Sequence, residues 1–115
     1  MGREEATTRT EIPPGTLHML ILKSLALLGP MHGYGIAQHI QQTSEDVLQV
    51  EEGSLYPALQ RMLIKGWVVA EWGQSENNRR ARYYRLTPAG RKQLAVEISQ
   101  FEKVMRAITR VIQPA

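Results

Sequence analysis

Apolar residues recur every three to four positions through much of this chain, and the breaks in that rhythm divide it into elements. Leu17, Leu20, Ile21, Leu25 and Leu28 trace one helical face, widened by Leu22, Ala26 and Leu27 until the segment reads as a mostly buried helix. Thr16, after Pro13-Pro14-Gly15, is its expected N-cap, and Gly29-Pro30 ends it. A second helix is expected over 34–42, with Ile36, Ala37 and Ile40 facing inward. A third follows if Ser54 is an N-cap. Pro57 then falls in the first turn, where its missing N–H costs nothing. Leu55, Leu59, Met62 and Leu63 form the inward stripe, and Lys65-Gly66 closes the helix.

Two stretches change period. Residues 67–72 and 81–86 are rich in strand formers, and the polar loop 73–80 between them makes a hairpin whose tip ends in arginines. Trp67 and Trp72 are expected in the hairpin core, and Val47-Leu48-Gln49-Val50 is a candidate edge strand. Thr87 and Pro88 then read as N-cap and N1 of a last helix. Along it Leu94, Ile98, Phe101, Met105, Ile108 and Ile112 form a heptad seam, widened by Val104 and Val111. Such a stripe either folds back on its own core or pairs with a second copy. A two-sided stripe favours the copy, and two-fold symmetry would set two third helices roughly 34 Å apart, one turn of duplex DNA.

The order helix, helix, helix, hairpin is that of a winged helix-turn-helix, so the expected fold class is mainly α with a small β-hairpin. The expected divisions are a loose arm at 1–12, the winged domain at 13–87 and a C-terminal dimerisation helix at 88–115. A length of 115 residues suits one such domain, and 43% apolar content excludes wholesale disorder.

The chemistry available to this chain is narrow. With no cysteine there is no thiol catalysis, disulfide framework or Cys-based zinc site. His18, His32 and His39 have no HExxH pattern or carboxylate cluster, so surface or capping roles are expected of them rather than a metal pair. Gly33-Tyr34-Gly35 lacks the third glycine of a dinucleotide loop, there is no GxxxxGK[ST], and Ser54 has no base placed near it. No enzyme activity, metal or cofactor is expected. The apolar run of the first helix is too short to span a membrane, and the acidic, polar N-terminus is unlike an export signal, so a cytoplasmic protein is expected.

Charge narrows the choice further. The net charge is only +3, yet residues 53–92 hold eight bases against Glu71 and Glu76, while 45–52 hold four acids and no base. A basic face of this kind suits a polyanion. Beside the inward stripe, the third helix offers Ser54, Tyr56, Pro57, Gln60 and Arg61. Gln60 suits adenine, Arg61 suits guanine, and Ser54 and Tyr56 suit phosphate or base edges. Arg79, Arg80 and Arg82 at the wing repel one another unless an anion lies opposite. Strand alternation puts Arg82 and Arg85 on opposite faces, leaving one of them to stack on Tyr83 or Tyr84. Double-stranded DNA is the expected partner; the alternative is a winged-helix protein-interaction module, since fold does not fix function.

Several segments make the resemblance specific: His32-Gly33-Tyr34-Gly35-Ile36, the block from Glu52-Gly53-Ser54-Leu55-Tyr56-Pro57-Ala58-Leu59 through Gln60-Arg61-Met62, Gly66-Trp67-Val68, Glu71-Trp72, and Arg82-Tyr83-Tyr84-Arg85-Leu86-Thr87-Pro88-Ala89-Gly90-Arg91. Together they resemble the PadR family of bacterial transcription regulators, in its short-tailed form, over about residues 15–94. The resemblance implies a winged DNA-binding domain, a dimerising C-terminal helix and repression relieved by a small molecule. Its DNA-facing positions fall on Ser54, Tyr56, Pro57 and Gln60, its basic wing on Arg79, Arg80 and Arg82. Its HGY-like block, His32 to Tyr34, falls beside phosphate. Some short members hold flat aromatic molecules between paired interface tryptophans. Here Phe101 stands in a last helix without tryptophan, and the corresponding space for an aromatic effector is near Leu17, Phe101 and Met105.

Overall fold

The computed structural model describes residues 11–13 and 15–113. The expected arm, apart from residues 11 and 12, lies outside them. The elements run α1 (Leu17–Leu28), β1 (Met31–His32), α2 (Gly33–Thr43), α3 (Glu52–Ile64), β2 (Val68–Gln74), β3 (Arg80–Leu86) and α4 (Pro88–Ile112). The strands form one antiparallel sheet in the order β1-β3-β2. This is a winged helix followed by one long helix.

The core lies where α1, α2 and α3 meet under the sheet. Ile21, Leu22 and Leu25 of α1 pack with Ile36, Ile40, Leu55, Ala58, Leu59 and Met62, and Val68, Tyr84 and Leu86 close the sheet side. Each fully buried Leu or Ile here contributes about 1.5–3 kcal/mol relative to exposure. Ser24, the one polar side chain buried among the described residues, donates to the Leu20 carbonyl at 2.8 Å. Gly29 (φ 79°) and Gly66 (φ 78°) take the left-handed conformation that ends α1 and α3, as their positions in sequence predict.

The joint into α4 is dense. The Thr87 hydroxyl lies 2.7 Å from the Gly66 carbonyl and 3.0 Å from that of Trp67, and it accepts from the Gly90 N–H at 3.0 Å. Its backbone N–H donates to Trp67 as well. Gly90 presses against Trp67, the residue before β2, so closely that a Cβ would run into its carbonyl. The expected cap and Pro88 at the helix start are both present. From there α4 packs back on α1, burying Leu94 and half-burying Ile98.

Several expectations need correction. The sheet has a third strand, because Met31 and His32 pair with Tyr84 and Tyr83. Residues 47–50 make only a single bridge at Leu48, since Glu45 and Asp46 take positive φ and turn the chain first. The helix α3 starts at Glu52, with Glu51 in extended conformation before it, so Ser54 is its third residue and not its cap. Pro57 therefore sits in the second turn, where it withholds one bond from the Gly53 carbonyl. Thr16 occupies the N-cap position of α1, but its hydroxyl donates back to Pro13 at 2.7 Å instead of capping. Leu27 and Trp72 are exposed. Among the described residues, no helix is long and apolar enough to cross a membrane, and no group of His, Asp or Glu could hold a metal.

Candidate nucleic-acid interface

The inward residues of α3, Leu55, Ala58, Leu59 and Met62, set the direction of everything else on it. Directly opposite are Gly53, Pro57, Gln60 and Ile64. Tyr56 lies on one flank of that ridge; Ser54 and Arg61, seven apart, lie on the other. The candidate residues of this helix are thus all exposed, but they do not share one face.

On the Tyr56 flank, the ring covers Gly33 at the start of α2, its hydroxyl 2.7 Å from where a Cβ would stand. Burial, then the Glu52 carboxylate, then Tyr84 push the phenol above its ordinary 10.0, so it is a hydrogen-bond donor at neutral pH. Next to it, His32 caps α2: its Nδ1 accepts from the Gly35 N–H at 3.0 Å, the capping role allowed by the sequence. That bond leaves the neutral ring's proton on Nε2. The imidazole stands edge-on to Tyr83 at 5.3 Å and tilted to Tyr34 at 6.5 Å, with Tyr34 projecting into solvent.

The hairpin supplies the opposite wall. Pairing runs from Val68 with Leu86 to Gln74 with Arg80, and Asn78 (φ 61°) turns the loop. Arg79 sits in that loop, where its backbone exchanges bonds with Ser75. The Arg80 guanidinium lies 4.4 Å from the Trp72 ring centroid, and that of Arg82 lies 5.9 Å from Tyr84. The arginine stacking on a tyrosine is therefore Arg82.

These walls enclose an open concavity of about 730 Å³, to which His32, Tyr34, Tyr56, Arg79, Arg80 and Arg82 all contribute. Glu76 is its one acid among the described residues. A second concavity of about 600 Å³ lies on the other flank of α3, between residues 11–13, Gly15 and Leu17 on one side and Ser54, Pro57 and Arg61 on the other. Among the described residues, Glu11 and Glu51 line it with that single base. The ten candidate positions thus divide into a cationic set of six and an acid-lined set of three, while Gln60 stands on the ridge and lines neither. By charge, the first suits a phosphate chain better than the second.

Two exposed side chains were not read as site residues from the sequence: Ile64 was passed over, and Trp72 was expected in the hairpin core. Ile64, 76% exposed, continues the ridge four residues past Gln60, and that spacing off the inward stripe was its signal. Trp72 left a fainter one, its abundance of arginines across the turn.

Beneath α3, His18 stands edge-on to Trp67 at 5.9 Å with its Nε2 buried and unbonded. Burial lowers its pKa from 6.5; Arg61 and Lys65 lower it further, against Glu97 of α4. Past Ile98, the seam residues Phe101, Met105, Ile108 and Ile112 are all exposed in the single chain.

Known proteins resemble this chain in sequence and in fold. A family profile described as the transcriptional regulator PadR-like family matches residues 21–96. A transcriptional regulator from Clostridium thermocellum superposes with a TM-score of 0.77 at 27% identity, over 86% of this chain and 95% of that one. A PadR family regulator from Clostridium difficile gives 0.72 at 27% identity, over 85% and 99%. One from Eggerthella lenta gives 0.73 at 25%, over 88% and 85%. An uncharacterised protein of Lysinibacillus sphaericus is 30% identical over 100 residues, covering 87% of this chain and 91% of its own.

Proposed function

The chain belongs to the PadR-like family of transcriptional regulators, and on that premise we propose that it is a homodimeric repressor of an inverted-repeat operator in double-stranded DNA. Residues 13–87 bind the DNA and residues 88–115 pair the subunits. The observation that carries this is the continuity of the α3 ridge with the cationic concavity, joined at Tyr56. The ridge enters the major groove, where Gln60 reads a base and Ile64 meets a thymine methyl. Tyr56 and Pro57 lie against the groove wall. Phosphates pass over Arg79, Arg80 and Arg82 toward His32 and Tyr34, where the start of α2 adds its positive end. Ser54 and Arg61, beside Glu11 and Glu51, serve the far edge.

The subunit interface is the uncovered part of the seam, from Phe101 to Ile112, continuing from Leu94 and Ile98. Phe101 and Met105 are one turn apart on it, and the small aromatic effector is proposed to bind between two copies near them and Leu17. Equilibrium binding to the DNA upstream of the protein's own coding sequence, with and without random competitor, tests the reading. Gln60→Ala should cost about 1–3 kcal/mol on the preferred sequence and little on random DNA. Arg79→Ala should weaken both alike and reduce the salt slope by about 1 for each phosphate no longer neutralised. Equal affinity for specific and random DNA in the wild-type protein would rule out an operator-binding role.

A further inference from the structure

Trp72 takes no part in the binding proposed so far. Its side chain is 58% exposed in the middle of a polar hairpin, and a guanidinium covers it where an apolar neighbour is usual. The register explains this pairing. Trp72 is opposite Arg82 and Gln74 is opposite Arg80, so Trp72 and Arg80 are diagonal neighbours on one face of the sheet. Along that face Arg80, Trp72, Arg82 and Tyr84 alternate cation and ring, all lining the cationic concavity.

Stacking has a chemical consequence. A guanidinium that meets a ring by its flat face keeps its five N–H donors free, since they lie in its plane. A free arginine must give up side-chain freedom to enter a narrow groove; one already laid along an indole has surrendered part of it beforehand. Arg79, in the loop, has no such ring and acts as a loose charge for phosphate.

Resting on the DNA-binding reading, we infer that Trp72 is a positioning residue: it holds Arg80 extended so that the wing reads the width of the minor groove flanking the operator. The ligand feature is a narrow groove, found in A·T-rich sequence, whose concentrated negative potential draws arginine in. Specificity at those flanks comes from shape, without a base-specific bond.

Selection from a random duplex library, followed by affinity measurement on duplexes with A·T or G·C flanks, tests this. Wild-type protein is expected to enrich a central repeat with A·T-rich flanks. Trp72→Ala should keep the repeat, which shows that it is folded, and lose the flank enrichment. Its affinity for A·T-flanked duplex should fall about two- to fivefold per wing, the scale of an exposed cation–π pair. The salt slope should stay unchanged, because no charge is removed. Trp72→Phe should recover most of the preference, while Arg80→Lys, which keeps charge but not planarity, should not. Retention of the flank preference by Trp72→Ala, or an equal loss on both flanks, overturns the inference. A wild-type protein that selects a repeat without flank preference overturns the role of Trp72 alone; one that selects no duplex overturns DNA binding itself.

Discussion

The two halves of α4 carry the same apolar rhythm and meet different surroundings. In the first half, Gly90 lies against the Trp67 carbonyl and Leu94 is buried against the winged domain. In the second, Phe101, Met105, Ile108 and Ile112 keep the seam, yet exposure rises from 39% at Phe101 to 68% at Ile112. A heptad therefore announces that a face needs cover without saying what covers it. The cover for the first half is the chain's own core; for the second, the cover proposed above is a further copy of α4, whose seam would match it.

That contrast can be broken at several points. Leu94→Ala should cost about 2–4 kcal/mol in chemical unfolding, the usual range for truncating a buried leucine. Loss of less than about 0.5 kcal/mol would show that the first half is not anchored as described. Ile108→Glu should leave the winged domain folded and weaken self-association by about 100-fold, because pairing would bury a carboxylate in an apolar seam. Sedimentation across a concentration series would read this, and an unchanged dimer would remove the second half from the interface. The smallest effect belongs to His18, which lies under the anchored half opposite Glu97, with Arg61 on α3 and Lys65 just past its end. Its pKa is lower in the fold than the ordinary 6.5, so the unfolded chain takes up a proton first as pH falls. Stability is then full above 6.5 and declines below it, levelling once folded His18 is also protonated. His18→Gln should flatten the change in urea midpoint between about pH 7.5 and about pH 5.5; an identical slope would assign it to other groups.

The four helices and the hairpin were legible because their signals are local. Gly29-Pro30, Lys65-Gly66 and Thr87-Pro88 stop and start helices through the conformations those residues themselves prefer. The strand β1 was not legible, since two residues cannot show alternation and Met31 pairs with Tyr84, far along the chain. The start of α3 was displaced because Ser54 is a good N-cap in isolation, whereas the extended backbone of Glu51 places the turn earlier. Trp72 shows the limit of strand propensity, which recognises a pleat but not which of its faces is covered. At the candidate site the residue types were readable while their grouping was not. Only the packing of Tyr56 on Gly33 assigns it to the cationic wall and leaves Arg61 on the acid-lined one.

The Thr87 joint gives α4 the character of a lever. Only Thr87 separates the helix from β3, and its hydroxyl is fastened to both Gly66-Trp67, which lead into β2, and the helix's first turn, so rod and hairpin swing together. Twenty-five residues make an arm of about 37 Å. A tilt of about 5° at its far end carries the other about 3 Å sideways over that length, so a slight change of angle there re-aims the arginine-bearing tip.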